Sequence, residues 1–278
     1  MPTKARREDF LIRRFLSAYD NDRWADCRMD WLDQQQDGAV EVLATRNDGR
    51  TLAIEHTLIE SFIGEREDLE RFKRFLRIEQ DESLIVPGKI IYVNVPRGVL
   101  RKGQPWERIV DGVHDWLCRN VRLLPTGDSM HTCKIGGTVP DVILQVRVIL
   151  EPTFAGHPII RRYGAINVGE TVDKALNAKL PKLVGTSADR RLLLLERSQW
   201  TLNELEMHDE IEKRRTAFPA LAQVDEVWFV ETVTATADGL RGYVEFKRYV
   251  NRRRVESIAF NDGKLFAKSK NGMPIPVL

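Results

Sequence analysis

The chain has 278 residues, 42% of them apolar and 30% charged, with a formal net charge of +2. Those values exclude wholesale disorder and leave enough apolar mass for a full core. No run of about 18 apolar residues marks a membrane helix, the basic start MPTKARREDF lacks the apolar stretch of a signal peptide, and three scattered cysteines fit free thiols in a reducing, cytoplasmic setting.

In chain order, residues 6–19 read as a helix with Phe10, Leu11, Phe15 and Ala18 on one face. Polar, irregular sequence follows to the Asp37-Gly38 turn signal. AVEVLATR (39–46) and RTLAIEHT (50–57) alternate as two strands around Asn47-Asp48-Gly49, the clearest hairpin in the chain. A helix is expected at 65–79 on a stripe of Leu69, Phe72 and Leu76, and a strand at 90–93. Residues 105–120 are the best helix, with Pro105 near its first turn and Ile109, Val110, Val113, Trp116 and Leu117 at helical period. Residues 125–140 read as turns. A strand at 142–150 and a helix at 170–183, which Pro181 should kink or restart, come next. Leu192–Leu195 has the character of a strand covered on both faces. Thr201 and Glu204 form a capping box for a helix to about 214, and 226–233 is another buried strand. Segments 242–250 and 255–267 alternate as a terminal antiparallel pair.

Strands thus alternate with helices, which predicts an α/β protein with a mixed central sheet flanked by helices. The expected organisation is a single domain over 1–278, a core of about 1–235 and a basic, strand-rich extension over 236–278, with 125–140 as the cleanest subdomain boundary. From Arg241 to Lys270, nine basic residues oppose three acids, a local excess able to attract phosphates or to serve as a solvated face.

The chemistry concentrates in the hairpin. Glu41 lies within VEV and Glu55 within AIEHT, although glutamate is depleted in strands and costly to bury alone. Both are seven residues from Asp48, so cross-strand pairing is expected. Two carboxylates at 4 Å repel by roughly 1–4 kcal/mol depending on dielectric, and a hard divalent cation, Mg²⁺ or Mn²⁺, would remove that repulsion. The plainer alternative pairs the two acids with Arg46 and Arg50 on an exposed face. His56 points to the opposite sheet face, as a satisfied core histidine. Asp26, Asp30 and Asp33 form a small acidic run, and His131-Thr132-Cys133 a zinc half-site with no partner pair at finger spacing.

An acid on one hairpin strand, a second acid on the next, and a following helix resemble the PD-(D/E)XK nuclease superfamily, with Glu41, the Asp48-Gly49 turn and Glu55-His56-Thr57 as the matching pieces. The resemblance implies a restriction-endonuclease-like core and metal-dependent hydrolysis of phosphodiesters in nucleic acid. It further implies Mg²⁺ or Mn²⁺ held by the two acids, with Glu8 of the first helix as an added ligand. Thr57 occupies the family's lysine position. Members lacking that lysine are similar in recruiting one from a neighbouring helix, which makes Lys179 and Lys182 the candidates. The alternative is a catalytically inactive relative that binds nucleic acid or a protein partner.

Overall fold

The computed structural model describes residues 7–32, 39–100, 102–163, 167–197, 202–234, 242–270 and 273–275. In chain order the elements are α1 (Arg7–Ala18), β1 (Arg28–Trp31), β2 (Val42–Thr45), β3 (Thr51–Ile59) and α2 (Glu65–Phe72), then β4 (Lys89–Pro96), α3 (Trp106–Asn120), β5 (Gly127–Cys133), β6 (Val142–Leu150) and β7 (Ile159–Tyr163). They continue as α4 (Val168–Gly185), β8 (Arg190–Arg197), α5 (Glu204–Lys213) and β9 (Glu226–Thr234), closing with β10 (Gly242–Val250), β11 (Arg253–Asn261), β12 (Lys264–Lys270) and β13 (Met273–Ile275). Mixed α/β architecture is therefore what the chain adopts. None of its described helices is long and apolar enough to cross a membrane.

The chain forms two compact units, residues 1–63 with 167–278, and residues 64–166. These divisions fall at 63/64 and 166/167, and 125–140 lies inside the second unit.

The first unit carries a nine-stranded sheet in the order β1-β2-β3-β8-β9-β10-β11-β12-β13. β3, β8 and β9 run parallel at its centre, and the flanking strands are antiparallel. Leu192 to Leu195 in β8 are all fully buried, each worth about 1.5–3 kcal/mol relative to exposure. α1 sets Leu11, Ile12 and Phe15 on one sheet face, among Val42, Leu52, Ile54, Leu194, Trp228 and Phe246. The Phe15 ring lies 5.1 Å from Trp228 and 5.2 Å from Phe246, centroid to centroid. Strand alternation turns the odd-numbered residues of β3 to the other face, where α4 meets it. The strands from 242 onward extend this same sheet, with β10 pairing on β9. The expected strand over 255–267 is two, because Asp262-Gly263, at φ 47° and 85°, turns the chain into β12.

The second unit has a four-stranded sheet, β5-β6-β4-β7. Val142, Leu144, Val146 and Val148 alternate inward to meet Ile109, Val113 and Leu117 of α3. The stripe expected at 65–79 shifts: α2 tightens into a 3-10 helix at Lys73, the period changes, and Phe75 and Ile78 are buried while Leu69 and Leu76 are exposed. Residues 125–140 contain a strand, β5, as well as turns.

Two helix details differ from the sequence reading. α4 continues through Pro181 to Gly185; proline removes the donor that would meet the Asn177 carbonyl, and Asn177 is exposed, where water can serve that carbonyl. α5 is capped by Asn203, whose side chain accepts the Leu205 N–H at 2.9 Å; Thr201 lies outside the described residues.

Candidate functional site

The hairpin turn sets the geometry. Gly49 takes φ 84°, a conformation that glycine adopts without strain, and the Arg46 N–H bonds the Arg50 carbonyl at 2.9 Å. The ladder then runs Thr45↔Thr51 to Val42↔Ile54, which places Glu41 opposite Glu55, one step beyond its end. At that step side chains replace ladder bonds. The Glu41 N–H donates to Oε1 of Glu55 at 2.9 Å, and the His56 N–H donates to Oε2 of Glu41 at 2.9 Å. Each acid is thus oriented by the backbone of the opposite strand.

Glu55 is fully buried and Glu41 nearly so, which removes the alternative of an exposed face. Arg46 instead meets Asp48 at 2.9 Å.

A lysine closes the site. α4 is fixed to the exit of β3 by the Asn167 N–H on the Ser61 carbonyl and the Thr171 hydroxyl on the Glu60 carbonyl, both 2.8 Å. From there the helix covers β3, advancing about 12 Å between Thr171 and Lys179 at 1.5 Å per residue. Lys179 extends inward, and its Nζ lies 2.6 Å from Oε2 of Glu55. Among the described residues Oε2 has no other partner. Burial pushes the Glu55 carboxyl above its ordinary range; Lys179, and more weakly Lys182, oppose that shift, whereas Glu41 adds to it. Lys182 acts on Glu55 through charge and makes no direct contact with it. Thr57, on the same face, is half-buried.

The sequence-predicted residues Glu41, Glu55 and Lys179 therefore meet at one point. Glu8 lies in the first turn of α1, a helix that packs on the other face of β3, and no hydrogen bond or ion pair links it to either acid among the described residues. His56 belongs to that other face: its Nε2 is 3.1 Å from Oε2 of Glu196, which also accepts the Thr232 hydroxyl at 2.6 Å through Oε1. It is a satisfied core histidine.

No protein-family model, curated protein or solved structure matches this chain.

Other motifs resolve into local structure. Asp30 pairs with Arg28 at 3.0 Å, and Asp33 lies outside the described residues. His131 bonds the Ser129 hydroxyl at 2.9 Å, whereas the buried Cys133 thiol donates to the Gly112 carbonyl at 3.3 Å and is pushed up to about 11 by burial. These two side chains share no ligand-like contact.

The basic C-terminal stretch is more neutralised than its sequence implies. Lys247 is buried, with Nζ 3.0 Å from Glu204, 2.9 Å from Glu231 and 3.2 Å from Glu245. Arg197 joins Glu231 in the same network. Arg248 pairs with Glu256, Arg252 with Asp209, Arg254 with Glu245 and Lys268 with Asp22. Sequence reading missed most of this network because Glu204 and Glu231 come from α5 and β9, outside the basic stretch.

Proposed function

We propose that this protein is a metal-dependent nuclease that hydrolyses phosphodiester bonds of nucleic acid on a restriction-endonuclease-like core. The observation that carries the reading is the Lys179 ammonium on Glu55 beside Glu41. A helix delivers to the acid-bearing hairpin the cation that Thr57 fails to provide.

Glu41 and Glu55 would hold Mg²⁺ or Mn²⁺. The donor set fits: both are carboxylates, hard oxygen ligands, and each carboxylate has about four lone-pair sites, so accepting one backbone N–H leaves coordination capacity. The cation would supply Lewis-acid polarisation of a phosphate oxygen and neutralisation of charge. The residues do the rest. The Glu41 and His56 N–H groups fix both carboxylates before substrate arrives, and such preorganisation avoids reorganisation during reaction. Lys179 opposes the upward push that burial gives the Glu55 carboxyl and presents positive charge next to the reacting phosphate, with Lys182 adding longer-range charge. Glu8 as a third ligand remains an expectation of the resemblance alone.

The test is cleavage of mixed DNA and RNA substrates with Mg²⁺, Mn²⁺ or a chelator, for wild type beside Glu55→Ala. Metal-dependent cleavage lost in Glu55→Ala, by at least a hundredfold, supports the site; cleavage unaffected by the substitution refutes it.

A second reading is a catalytically inactive module that binds nucleic acid or a protein partner. It is favoured by one observation: an oxygen of each acid is engaged by backbone and the other Glu55 oxygen is ion-paired with Lys179, so contacts within the protein already hold the cluster in place. Salt-sensitive binding to nucleic acid without cleavage would select it.

A further inference from the structure

The second unit contains a separate constellation. His114 and Cys118 are four residues apart on α3 and so share a helix face. Asp81, just before the 3-10 turn Glu82–Leu84, reaches the same point. Nε2 of His114 is 2.5 Å from Oδ2 of Asp81, and Sγ of Cys118 is 3.8 Å from Nε2. One ligand atom from each of the three lies within 4.8 Å of the others.

The supporting contacts fix the carboxylate. Oδ1 of Asp81 accepts the Ser83 N–H at 2.9 Å. Nδ1 of His157 lies 3.3 Å from the Asp81 backbone carbonyl, which brings a second imidazole alongside.

We propose that Asp81, His114 and Cys118 form a binding site for zinc, with a further coordination position left to water. The donor chemistry selects the metal. A thiolate sulfur disfavours Mg²⁺ and Ca²⁺, and a mixed oxygen, nitrogen and sulfur set suits Zn²⁺. Tetrahedral zinc bonds of about 2.0–2.3 Å place neighbouring donors about 3.3–3.6 Å apart, so the present spacings need side-chain adjustments of about 1 Å. Cys118 is exposed, which gives an ion entry. An Asp81–His114 hydrogen bond serving structure alone would require nothing of Cys118, and that difference decides the test.

The full-length protein is stripped with a chelator and titrated with Co²⁺, a spectroscopic stand-in for zinc, with no nucleic acid present. The expected result is an intense thiolate-to-cobalt charge-transfer band that saturates with one equivalent of Co²⁺ per chain and is abolished by one equivalent of Zn²⁺. Cys118→Ser should lose the band and bind zinc at least tenfold more weakly, and His114→Ala should weaken binding similarly. Cys27→Ser and Glu55→Ala should retain the band, which separates this site from the proposed nuclease centre. A wild-type protein with no thiolate band, or a band unchanged in Cys118→Ser, overturns the proposal. Circular dichroism of each variant confirms that the fold is retained, as expected for the exposed Cys118.

Discussion

Replacing Lys179 by methionine removes one charge and retains most of the apolar stem. Its partner Glu55 is fully buried, and the Lys179 side chain is 16% exposed. Removing one member of a buried pair costs about 3–5 kcal/mol because the other charge is left uncompensated. Glu55 can escape part of that cost by taking up a proton, so about 3 kcal/mol is expected near neutral pH. With a urea slope of about 3 kcal/mol per molar, the unfolding midpoint falls by about 1 M. The pH dependence carries a definite sign. Glu55 has a folded pKa already raised above its ordinary 4.5, so its contribution to stability is complete below that value and is lost as pH rises through the folded pKa. Without Lys179 the folded pKa rises further and the loss deepens. The gap between wild type and Lys179→Met should therefore be small in acid and widen as pH rises, and Glu55→Gln combined with Lys179→Met should recover much of it. Urea unfolding followed by tryptophan fluorescence at several pH values provides the measurement. A midpoint difference that stays the same across pH would refute the argument that Lys179 compensates a buried carboxylate.

Lys247→Met should destabilise by about 3–5 kcal/mol, since it strips the shared cation from three carboxylates; a change within about 0.5 kcal/mol in the same unfolding assay would mean the network is solvent-screened. Thiol labelling of the native protein should modify the exposed Cys118 first and leave Cys133, buried and pushed up to about 11, unreacted until unfolding. Mass spectrometry of the labelled peptides shows the order, and early modification of Cys133 would contradict its burial.

Much of the fold is legible in the sequence where periodicity is strong. The 39–57 hairpin, the Leu192–Leu195 run and the Trp106–Asn120 helix follow directly from alternation, apolar content and helical spacing. The missed strands β1, β5, β7 and β13 all end a sheet. An edge strand has one neighbour and packs less deeply, so segments such as RMDW and GDSMHTC carry no clear pattern. The helix stripe at 65–79 was displaced by a switch to 3-10 geometry, which no composition announces. At the candidate site, Glu41 and Glu55 were readable as acids inside apolar strands, and Lys179 as a candidate for the lysine that Thr57 replaces. The backbone bonds that orient the acids were not readable, because they depend on the ladder stopping at Val42. Lys247 reads as part of a basic surface because two of the carboxylates that surround it, Glu204 and Glu231, come from outside that stretch of sequence.

The insertion of residues 64–166 between β3 and α4 has a consequence for synthesis. A ribosome delivers the chain from its amino end, so both acids emerge first, and the entire second unit follows before Lys179 is made. Until then Glu55 has no cation to accompany it into the interior, and the hairpin that carries it is better solvated than packed. A nascent or proteolytic fragment that includes the hairpin through β3 and ends before α4 therefore contains both carboxylates but lacks their lysine, and the constellation comes into being only after the smaller unit has been translated.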